Sequence, residues 1–376
     1  GVSHRMSDAQ DTVRALLRPA DVEINGGRPW DIQVDNESFY SRVLRQGSLG
    51  LGESYMEEWW NAACLDELFY RLLRFDVRPP FSLSWKILAH DLRYLLFNPQ
   101  RRSQAFEIGK RHYDRGDDLY RVMLGRGMVY SCAYWKGADT LEAAQEAKLR
   151  LVCGKLGLKP GLRLLDIGCG WGGLAKFAAE NYQAEVMGIT VSRNQVEEAR
   201  RQCAGLPVDI QLRDYRGLEG TFDRVVSIGM FEHVGNKNYR AYMKTVERLL
   251  RDDGLFLLHT IGLPGSGWTT DPWISKYIFP NSKLPSLAQI TRAVEGLFLI
   301  EDVHNLGAHY DKTLMAWFHN FDRRWDELRP RYGEPFYRMW KYYLLSCAGA
   351  FRARRNQVWQ IVFSKRGIPG GYVPVR

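Results

Sequence analysis

Glycines at alternate positions follow an acidic residue near the middle of the chain, where Asp166 precedes Gly168, Gly170 and Gly172. The apolar residues before this loop indicate a buried strand, and the residues after it indicate a helix. Glycine lets the backbone approach a ligand closely, because it has no Cβ that would collide with it. The loop is therefore a candidate ligand-binding loop, and a plain tight turn between strand and helix is the alternative.

The spacing of these glycines is more specific than a glycine-rich turn alone. Residues 168–173 follow the pattern G-x-G-x-G-G, whereas dinucleotide-binding folds use G-x-G-x-x-G. With Asp166 two residues before the first glycine, the loop resembles motif I of the S-adenosylmethionine-dependent methyltransferases. The resemblance implies a class I methyltransferase fold, an α/β Rossmann-like seven-stranded sheet, with the cofactor held at this loop and Cys169 among its contacts.

Two side chains suited to proton transfer stand at the ends of neighbouring predicted strands. Glu232 follows the fourth strand, and His259 stands at the end of the fifth. Carboxyl and imidazole groups are common general acids and bases. Either residue alone is more readily explained as a surface or hydrogen-bonded core residue, but adjacent strand ends beside a cofactor loop reverse this preference and favour a functional role. We expect them to lie side by side over the cofactor.

The elements that position these residues begin at about Leu151, where predicted strands and helices alternate. This alternation predicts a parallel sheet with helices on both faces. The seven predicted strands cover residues 162–167, 185–190, 208–212, 222–228, 255–260, 298–304 and 358–364. A helical insertion, 312–355, separates the last two strands and is crowded with aromatic residues, most of which we interpret as core.

Ligands of a doubly wound sheet lie at the carboxyl ends of its strands. Thr190 and Gln195 follow the second strand, at a place where most methyltransferases have an acid for the ribose hydroxyls. Asp214, Tyr215 and Arg216 follow the third strand and are candidates for contact with the adenine.

The beginning of the chain is predicted to be a separate, mainly helical domain at residues 1–95, joined by a linker at 96–110 to a catalytic domain at 111–376. Residues 24–27 and 31–34 indicate a small hairpin. Helical patterns cover residues 37–46, 52–61, 65–73 and 83–97.

Composition narrows the function classes. The net charge is +9 with 45% hydrophobic residues, and no apolar run approaches the roughly 20 residues of a membrane span. Neither the six scattered cysteines nor the eight histidines have metal-site or disulfide spacing, and no secretory signal is visible, so we expect a cytoplasmic protein. The basic excess at 335–376 suits an anionic membrane surface, and no nucleic-acid-binding motif accompanies it.

Motifs along nearly the whole chain resemble the family of the cyclopropane-fatty-acyl-phospholipid synthases and the related mycolic-acid cyclopropane synthases. The helical first domain favours the phospholipid enzymes within this family. The matching segments, in chain order, are 47–56, 112–114, 130–135, 168–173, 231–235, 271–274, 276–280, 310–311 and 347–352. One departure is Asp117, where the family usually has Asn, and we expect its charge to affect a lid over the cofactor.

The resemblance implies that a methylene group passes from S-adenosylmethionine to the cis double bond of an acyl chain in a phospholipid. It implies further that a bound bicarbonate ion acts as the base. The residues implied to hold that ion are Cys132, Glu232, His259, the backbone of Ile261, and Tyr310. Cys347 is implied as a pocket residue. Cys132 as a covalent nucleophile is the rival interpretation, but the reaction needs no covalent intermediate.

The same resemblance implies further contacts around the site. Tyr130 and Ser131 are implied to bind the cofactor. Aromatic faces can stabilise a carbocation by about 2 kcal/mol each when water is excluded. The candidate wall residues are Tyr134, Tyr310, Trp317 and Phe318.

The implied partners are an unsaturated phospholipid, the inner face of the membrane as a peripheral contact, and a second copy of the chain in a homodimer. Trp59, Trp60 and Trp85 of the first domain are candidates for the membrane contact, with the protein core or a dimer interface as alternatives. Two other functions stay open: a methyltransferase that makes a methyl-branched chain, and a non-catalytic lipid-binding protein.

Overall fold

The structure, a computed structural model, describes residues 2–77 and 116–376, with side chains from residue 8 onward. The chain forms two compact units. The first unit consists of residues 1–123, 270–281 and 314–355, and the second consists of 124–269, 282–313 and 356–376. The domain limits predicted at residues 95 and 110, and the helix predicted at 83–97, lie outside the described residues.

The described elements follow one another along the chain. They are α1 (Val2–Leu17), β1 (Gln33–Val34), α2 (Ser38–Met56), β2 (Trp60–Asn61), α3 (Leu65–Arg74), α4 (Asp117–Leu124), α5 (Leu141–Lys155), β3 (Arg163–Ile167), α6 (Gly173–Tyr182), β4 (Glu185–Thr190), α7 (Arg193–Gln202), β5 (Val208–Leu212), β6 (Phe222–Ile228), α8 (Tyr239–Leu249), β7 (Leu250–Gly262), α9 (Pro272–Tyr277), α10 (Leu287–Val294), β8 (Leu299–Asn305), α11 (Gly307–Arg323), α12 (Trp325–Tyr332), α13 (Glu334–Arg352) and β9 (Gln357–Ser364).

The second unit contains a seven-stranded sheet in the order β5-β4-β3-β6-β7-β9-β8. The first five of these strands run parallel, and β9 is antiparallel to both β7 and β8. Apolar clusters cover both faces, one centred on Val225 and Phe256 and the other on Leu164 and Val226. All seven predicted strands are present, six of them with limits that agree with the prediction to within one residue, and the predicted α/β class is confirmed.

The fifth strand of the sheet differs from its predicted limits. β7 extends to Gly262, because its antiparallel pairing with β9 continues to the Gly262–Gln357 pair although β6 ends beside His259. Ile261, which lies beyond the predicted strand, is therefore part of β7, and His259 lies inside the strand rather than at its end.

Two predictions for the first unit are wrong. The strand-like pairing of Gln33–Val34 is with Trp60–Asn61 rather than within a hairpin, and Ile24 forms only an isolated bridge to Ile32. The helix predicted at 52–61 ends at Met56. There the Trp59 N–H donates to the Ser54 carbonyl at 2.9 Å and Glu58 adopts a left-handed φ of 61°, a turn that terminates helices.

Aromatic side chains fill the interior of the first unit. The largest of its fully buried side chains are Trp60, Trp273, Trp317, Trp340, Tyr55 and Phe39. Trp273 and Tyr342 approach to 4.4 Å between ring centroids, and a Cβ on Gly52 would stand 2.3 Å from the Trp273 ring. The interpretation of the aromatic insertion as core is confirmed for most of its residues, and Trp60 likewise belongs to the core.

Candidate active site

The glycine loop between β3 and α6 has the backbone geometry that its sequence predicts. Gly168, Gly170 and Gly172 have φ values of 81°, 56° and 88°, a left-handed region that disfavours other residues. The N–H groups of Gly168 and Cys169 both donate to the carbonyl of Ile189 at 2.9 Å, which holds the loop against β4.

Asp166 and Lys148 are buried together beneath this loop. Asp166 is 2% exposed, and burial raises the pKa of its carboxyl to about 7 against the opposing effect of Lys148. The Asp166 Oδ2 atom has no hydrogen-bond partner among the described residues. Lys148 is 0% exposed, donates to the Ser131 Oγ at 2.6 Å, and has its pKa lowered to about 8 by burial. A buried cation thus links the predicted cofactor residues Asp166 and Ser131.

Lys148 is a residue that the sequence reasoning missed. It lies on α5, seven positions before Lys155, so two buried lysines share one face of this helix. Lysine is almost never fully buried without a partner. The two-turn spacing of these lysines, together with the buried Gln145, is a signal that could have drawn attention to α5.

The residues predicted to bind the cofactor after β4 and β5 each bond or pack against a neighbouring side chain. Thr190 donates from its hydroxyl to the Gln195 Oε1 atom at 2.7 Å, so this pair is brought together between β4 and α7. The Arg216 guanidinium bonds the Asp214 carboxylate at 2.9 and 2.8 Å and lowers its pKa. Tyr215 packs edge-on against Tyr242, with 5.0 Å between ring centroids.

Glu232 lies in a short turn, Phe231–His233, directly after β6. Because β7 continues beyond β6, the Ile261 N–H has no strand partner on that side and donates instead to the Glu232 Oε1 at 2.8 Å. The Oε2 atom is buried without a hydrogen-bond partner among the described residues. Burial raises the pKa of this carboxyl to about 7, so a proton is available on it near neutral pH.

His259 is 2% exposed on β7. Its Nδ1 atom lies 3.1 Å from the Gln360 Nε2 on the neighbouring strand β9. Burial, with Lys148 and Lys155 as nearby cations, holds the pKa of the imidazole well below its usual range, so the ring is neutral. The bond between Glu232 and the Ile261 N–H fixes the carboxyl beside the same stretch of β7.

The segment that contains Cys132 is hydrogen-bonded to the segment that contains Tyr310. The Cys132 thiol donates to the Leu306 carbonyl at 3.7 Å, just before α11, and the Ala133 N–H donates to the Thr313 hydroxyl at 3.1 Å on α11. Tyr310 is 6% exposed between them. Burial raises the pKa of the Cys132 thiol to about 12, which disfavours the thiolate that a nucleophilic cysteine needs.

The remaining residues predicted for the site are divided between the two units. Tyr130 is half-buried near Ser131, and Tyr134 packs its ring 4.9 Å from that of His309. Cys347, Trp317 and Phe318 belong to the first unit, where burial raises the pKa of the Cys347 thiol to about 12. The matched residues 112–114 lie outside the described residues. Asp117 is the first residue of α4, where its charge favours the helix N-terminus.

No helix of the described ranges has the length and apolar character needed to cross a membrane. Within 2–77 and 116–376, no three His, Cys, Asp or Glu side chains are grouped as a metal site.

The sheet order and the glycine loop define an S-adenosylmethionine-dependent methyltransferase of class I. Residues 100–361 match the family of the mycolic acid cyclopropane synthetases, and the chain belongs to this family. It is 53% identical over 356 residues, 95% of this chain and 93% of the relative, to the cyclopropane-fatty-acyl-phospholipid synthase of Escherichia coli strain K12. A probable fatty acid methyltransferase of Pseudomonas putida is 40% identical over 71% of this chain and 72% of its own.

Solved structures in the same family share the fold. The cyclopropane synthase MmaA2 from Mycobacterium tuberculosis is 32% identical, with a TM-score of 0.64, over 69% of this chain and 98% of that one. The mycolic acid cyclopropane synthase CmaA1, solved in complex with SAH and CTAB, is 34% identical with a TM-score of 0.64 over the same shares. The family likeness therefore extends to a relative with the demethylated cofactor bound.

Proposed function

We propose that this enzyme transfers a methylene group from S-adenosylmethionine to the cis double bond of an unsaturated acyl chain in a membrane phospholipid, forming a cyclopropane ring. The observation that carries the proposal is Glu232, buried beside β7 with one oxygen held by the Ile261 N–H and the other oriented without a partner among the described residues. Identity to the E. coli phospholipid enzyme over 95% of the chain supports this substrate class.

The reaction sets two demands on the residues. The π electrons of the alkene form a bond to the donated methyl carbon while the carbon–sulfur bond breaks, which leaves a carbocation on the acyl chain. A base then removes a proton from the new methyl group, and the electron pair of that C–H bond closes the ring. The protein must hold the alkene in line with the methyl group and must exclude water from the cation.

The candidate residues fit a small bound anion as the base. Bicarbonate, when bound, supplies a proton acceptor that a bare buried carboxylate would replace only at a high desolvation cost. Glu232, whose raised pKa of about 7 keeps a proton on the carboxyl, can donate from the unpartnered Oε2 position. We assign His259, Tyr310, Cys132 and the backbone of Ile261 to the same anion.

The cofactor contacts are assigned to the loop and strand ends. The glycine loop holds the methionyl part, the Thr190–Gln195 pair lies where the ribose binds in this fold, and Asp214, Tyr215 and Arg216 border the adenine. Lys148, through the Ser131 hydroxyl, orients the segment that also carries Tyr130 and Cys132.

The test is to incubate the protein with S-adenosylmethionine and vesicles of a cis-unsaturated phospholipid, and to examine the extracted fatty acids by NMR. High-field cyclopropane protons are the expected result. A methyl-branched product would keep the cofactor assignment and overturn the assignment of the base, in line with the related fatty acid methyltransferase. No product with the cofactor bound would favour a non-catalytic lipid-binding protein.

Peripheral binding to the inner face of the membrane is assigned to the first unit. Trp30 lies 4.0 Å from the Arg71 guanidinium carbon and 5.3 Å from that of Arg28, measured to its ring centroid, and Trp59 lies 4.6 Å from that of Arg42. Both tryptophans are partly exposed. Tryptophan beside arginine suits the headgroup region of a bilayer, where one part of the ring is apolar and the surroundings are charged.

Vesicle sedimentation with the full chain tests this assignment. Replacing Trp30 and Trp59 by Ser should reduce co-sedimentation with anionic phosphatidylglycerol vesicles, whereas Trp268→Ser, at an exposed tryptophan of the second unit, should not. Equal binding by both variants would contradict the assignment. Sedimentation velocity in the same buffer tests the proposed homodimer, which a single monomeric species would contradict.

A further inference from the structure

Three strands of the second unit place a row of polar side chains on one face of the sheet. His259 on β7 is paired with Gln360 on β9, and Gln360 is in turn paired with His304 on β8. Directly paired residues of neighbouring strands have their side chains on the same face. Lys155, the last residue of α5, contacts two members of this row, Gln360 and His304.

The hydrogen bonds of this row have a defined direction. The Lys155 Nζ atom lies 2.9 Å from the Gln360 Oε1 and 2.9 Å from the His304 Nδ1. Below its pKa of about 7 Lys155 is an ammonium group, which has donors and no acceptor, so the atom of the Gln360 amide that faces it is the oxygen. The amide nitrogen of Gln360 then faces His259, at 3.1 Å from its Nδ1.

An amide nitrogen is a donor only, so the His259 Nδ1 must accept and must carry no proton. Lys155 and Gln360 are 0% exposed, and His259 is 2% exposed, so water does not compete for these bonds. Burial lowers the pKa of Lys155 to about 7, with Asp302 opposing the shift, and burial together with Lys155 lowers the pKa of His304 to about 4. His304 is therefore neutral and can accept from Lys155.

We infer that Lys155 and Gln360 are positioning residues that hold His259 as the neutral tautomer with its proton on Nε2, so that the imidazole acts as a hydrogen-bond donor in the active site. A ring in this state has no lone pair on Nε2 and cannot take the proton of the transferred methyl group. His259 therefore orients the anion that acts as base. The inference rests on the proposed function for the identity of that anion, but the tautomer itself follows from the bonds that Gln360 makes to His259 and to the ammonium form of Lys155.

The tautomer is measured by long-range proton–nitrogen correlation NMR on the full chain labelled with ¹⁵N at histidine, with the His259 signals assigned by comparison with a His259→Asn variant. The wild-type protein should show the proton on Nε2. A proton on Nδ1 would overturn the inference, and this measurement needs no variant of Lys155 or Gln360.

Two variants test the cause. In Gln360→Glu the carboxylate accepts from the imidazole, so the proton should move to Nδ1. In Lys155→Met the amide is free to rotate, so both tautomers should appear. Turnover should fall by about tenfold to a hundredfold in both, with the KM for S-adenosylmethionine changed by less than about threefold. Lys159→Met, at an exposed lysine near the same helix end, is the matched control and should change neither.

An unchanged His259 spectrum in Gln360→Glu would show that Gln360 does not set the tautomer and would overturn the inference. Lost turnover with an unchanged tautomer would likewise assign these residues a merely structural role. Absence of cyclopropane product from the wild-type protein, with the proton found on Nε2, would overturn the proposed function alone.

Discussion

The two units of the chain bury different kinds of side chain. The interior of the first unit is aromatic, and its buried polar side chains within the described residues are Asp31 and Ser54. The second unit buries several ionisable groups, whereas the first buries only Asp31 among the described Asp, Glu, Lys, Arg and His side chains. Those of the second unit are Lys148, Lys155, Asp166, Glu198, Glu232, His259 and Asp302, each no more than 9% exposed. Packing explains the first interior, whereas the second includes groups that packing alone would exclude.

Buried ionisable groups lower the free energy of unfolding unless they are paired and hydrogen-bonded. Glu232 and Asp166 each keep one oxygen without a hydrogen-bond partner among the described residues. The aromatic side chains of the first unit bury no charge, although the indole N–H groups of Trp273 and Trp325 are buried without a hydrogen-bond partner among the described residues. The comparison therefore indicates that the second unit gives up stability to hold chemical groups, and that the first unit supplies packing and surface. Substitutions in the two units should affect different measurements.

The largest effect on stability is expected at Trp273 in the first unit. Trp273→Ala should lower the free energy of unfolding by about 3–5 kcal/mol, because the indole packs 4.4 Å from Tyr342 and 5.3 Å from Tyr277 between ring centroids. Urea denaturation measures the loss, and calorimetry measures the affinity for S-adenosylmethionine, which should stay unchanged. Trp268→Ala, at a tryptophan 40% exposed in the second unit, is the control. A tenfold weaker affinity for the cofactor with unchanged stability would contradict the assignment of packing to the first unit and of the chemistry to the second.

The largest effect on turnover is expected at Glu232 in the second unit. Glu232→Gln keeps the acceptor for the Ile261 N–H and a donor toward the anion, but the amide cannot exchange a proton with it, so turnover should fall at least about a hundredfold. Binding of S-adenosylmethionine should stay nearly intact. The measurement is the NMR product assay, with Glu180→Gln on the exposed face of α6 as the control. Turnover near the wild-type value would remove Glu232 from the proposed base site.

A smaller effect on stability is expected at Gly52. Gly52→Ala should cost about 1–3 kcal/mol, because the added Cβ would stand 2.3 Å from the Trp273 ring and force the helix or the indole to move. Alanine favours a helix over glycine by about 1 kcal/mol, which opposes this loss. Gly27→Ala, with open space at its Cβ, is the control and should be near neutral. A stabilised Gly52→Ala protein would show that the aromatic interior adapts more easily than the packing indicates.

The sheet of the second unit could be predicted from the sequence because its signals are local. β3, β4 and β6 are short apolar runs, each followed by a turn and then a helical pattern, and Asp166 with the three glycines marks the loop within seven residues. The extension of β7 could not be predicted, because it depends on pairing with β9, whose residues lie about a hundred positions later.

The hydrogen bonds that hold His259 in the candidate site could not be predicted either, because they also join residues far apart in the sequence. Lys155 and Gln360 are 205 positions apart, and Gln360 and His259 are 101 apart, so no local pattern joins them. In the first unit, the resemblance matched residues 47–56, 271–274 and 276–280 as separate segments. Their meeting through Glu53, which accepts from the Tyr277 hydroxyl at 2.8 Å, is a tertiary contact that the sequence does not encode locally.

The pH dependence of stability gives the finest test of the comparison. Burial raises the pKa of Glu232 from its ordinary 4.5 to about 7, so between these values the folded state binds more protons than the unfolded state. The contribution of this carboxyl to the free energy of unfolding is therefore largest below pH 4.5 and falls as the pH rises to about 7. Gln does not titrate. As the pH rises from 4.5 to about 7, the free energy of unfolding of Glu232→Gln should therefore increase by roughly 1–3 kcal/mol relative to that of the wild-type protein.

Urea denaturation of both proteins at several pH values from about 4.5 to 8 measures this difference. Lys148 should have the opposite effect on the pH dependence of stability. Burial lowers its pKa from 10.5 to about 8, so its contribution to the free energy of unfolding should rise with pH between these values. A relative gain for Glu232→Gln that grew toward acid pH would mean that the folded protein stabilises the carboxylate. The second unit would then hold its charges as ordinary ion pairs, and the contrast with the aromatic interior of the first unit would no longer locate the chemistry.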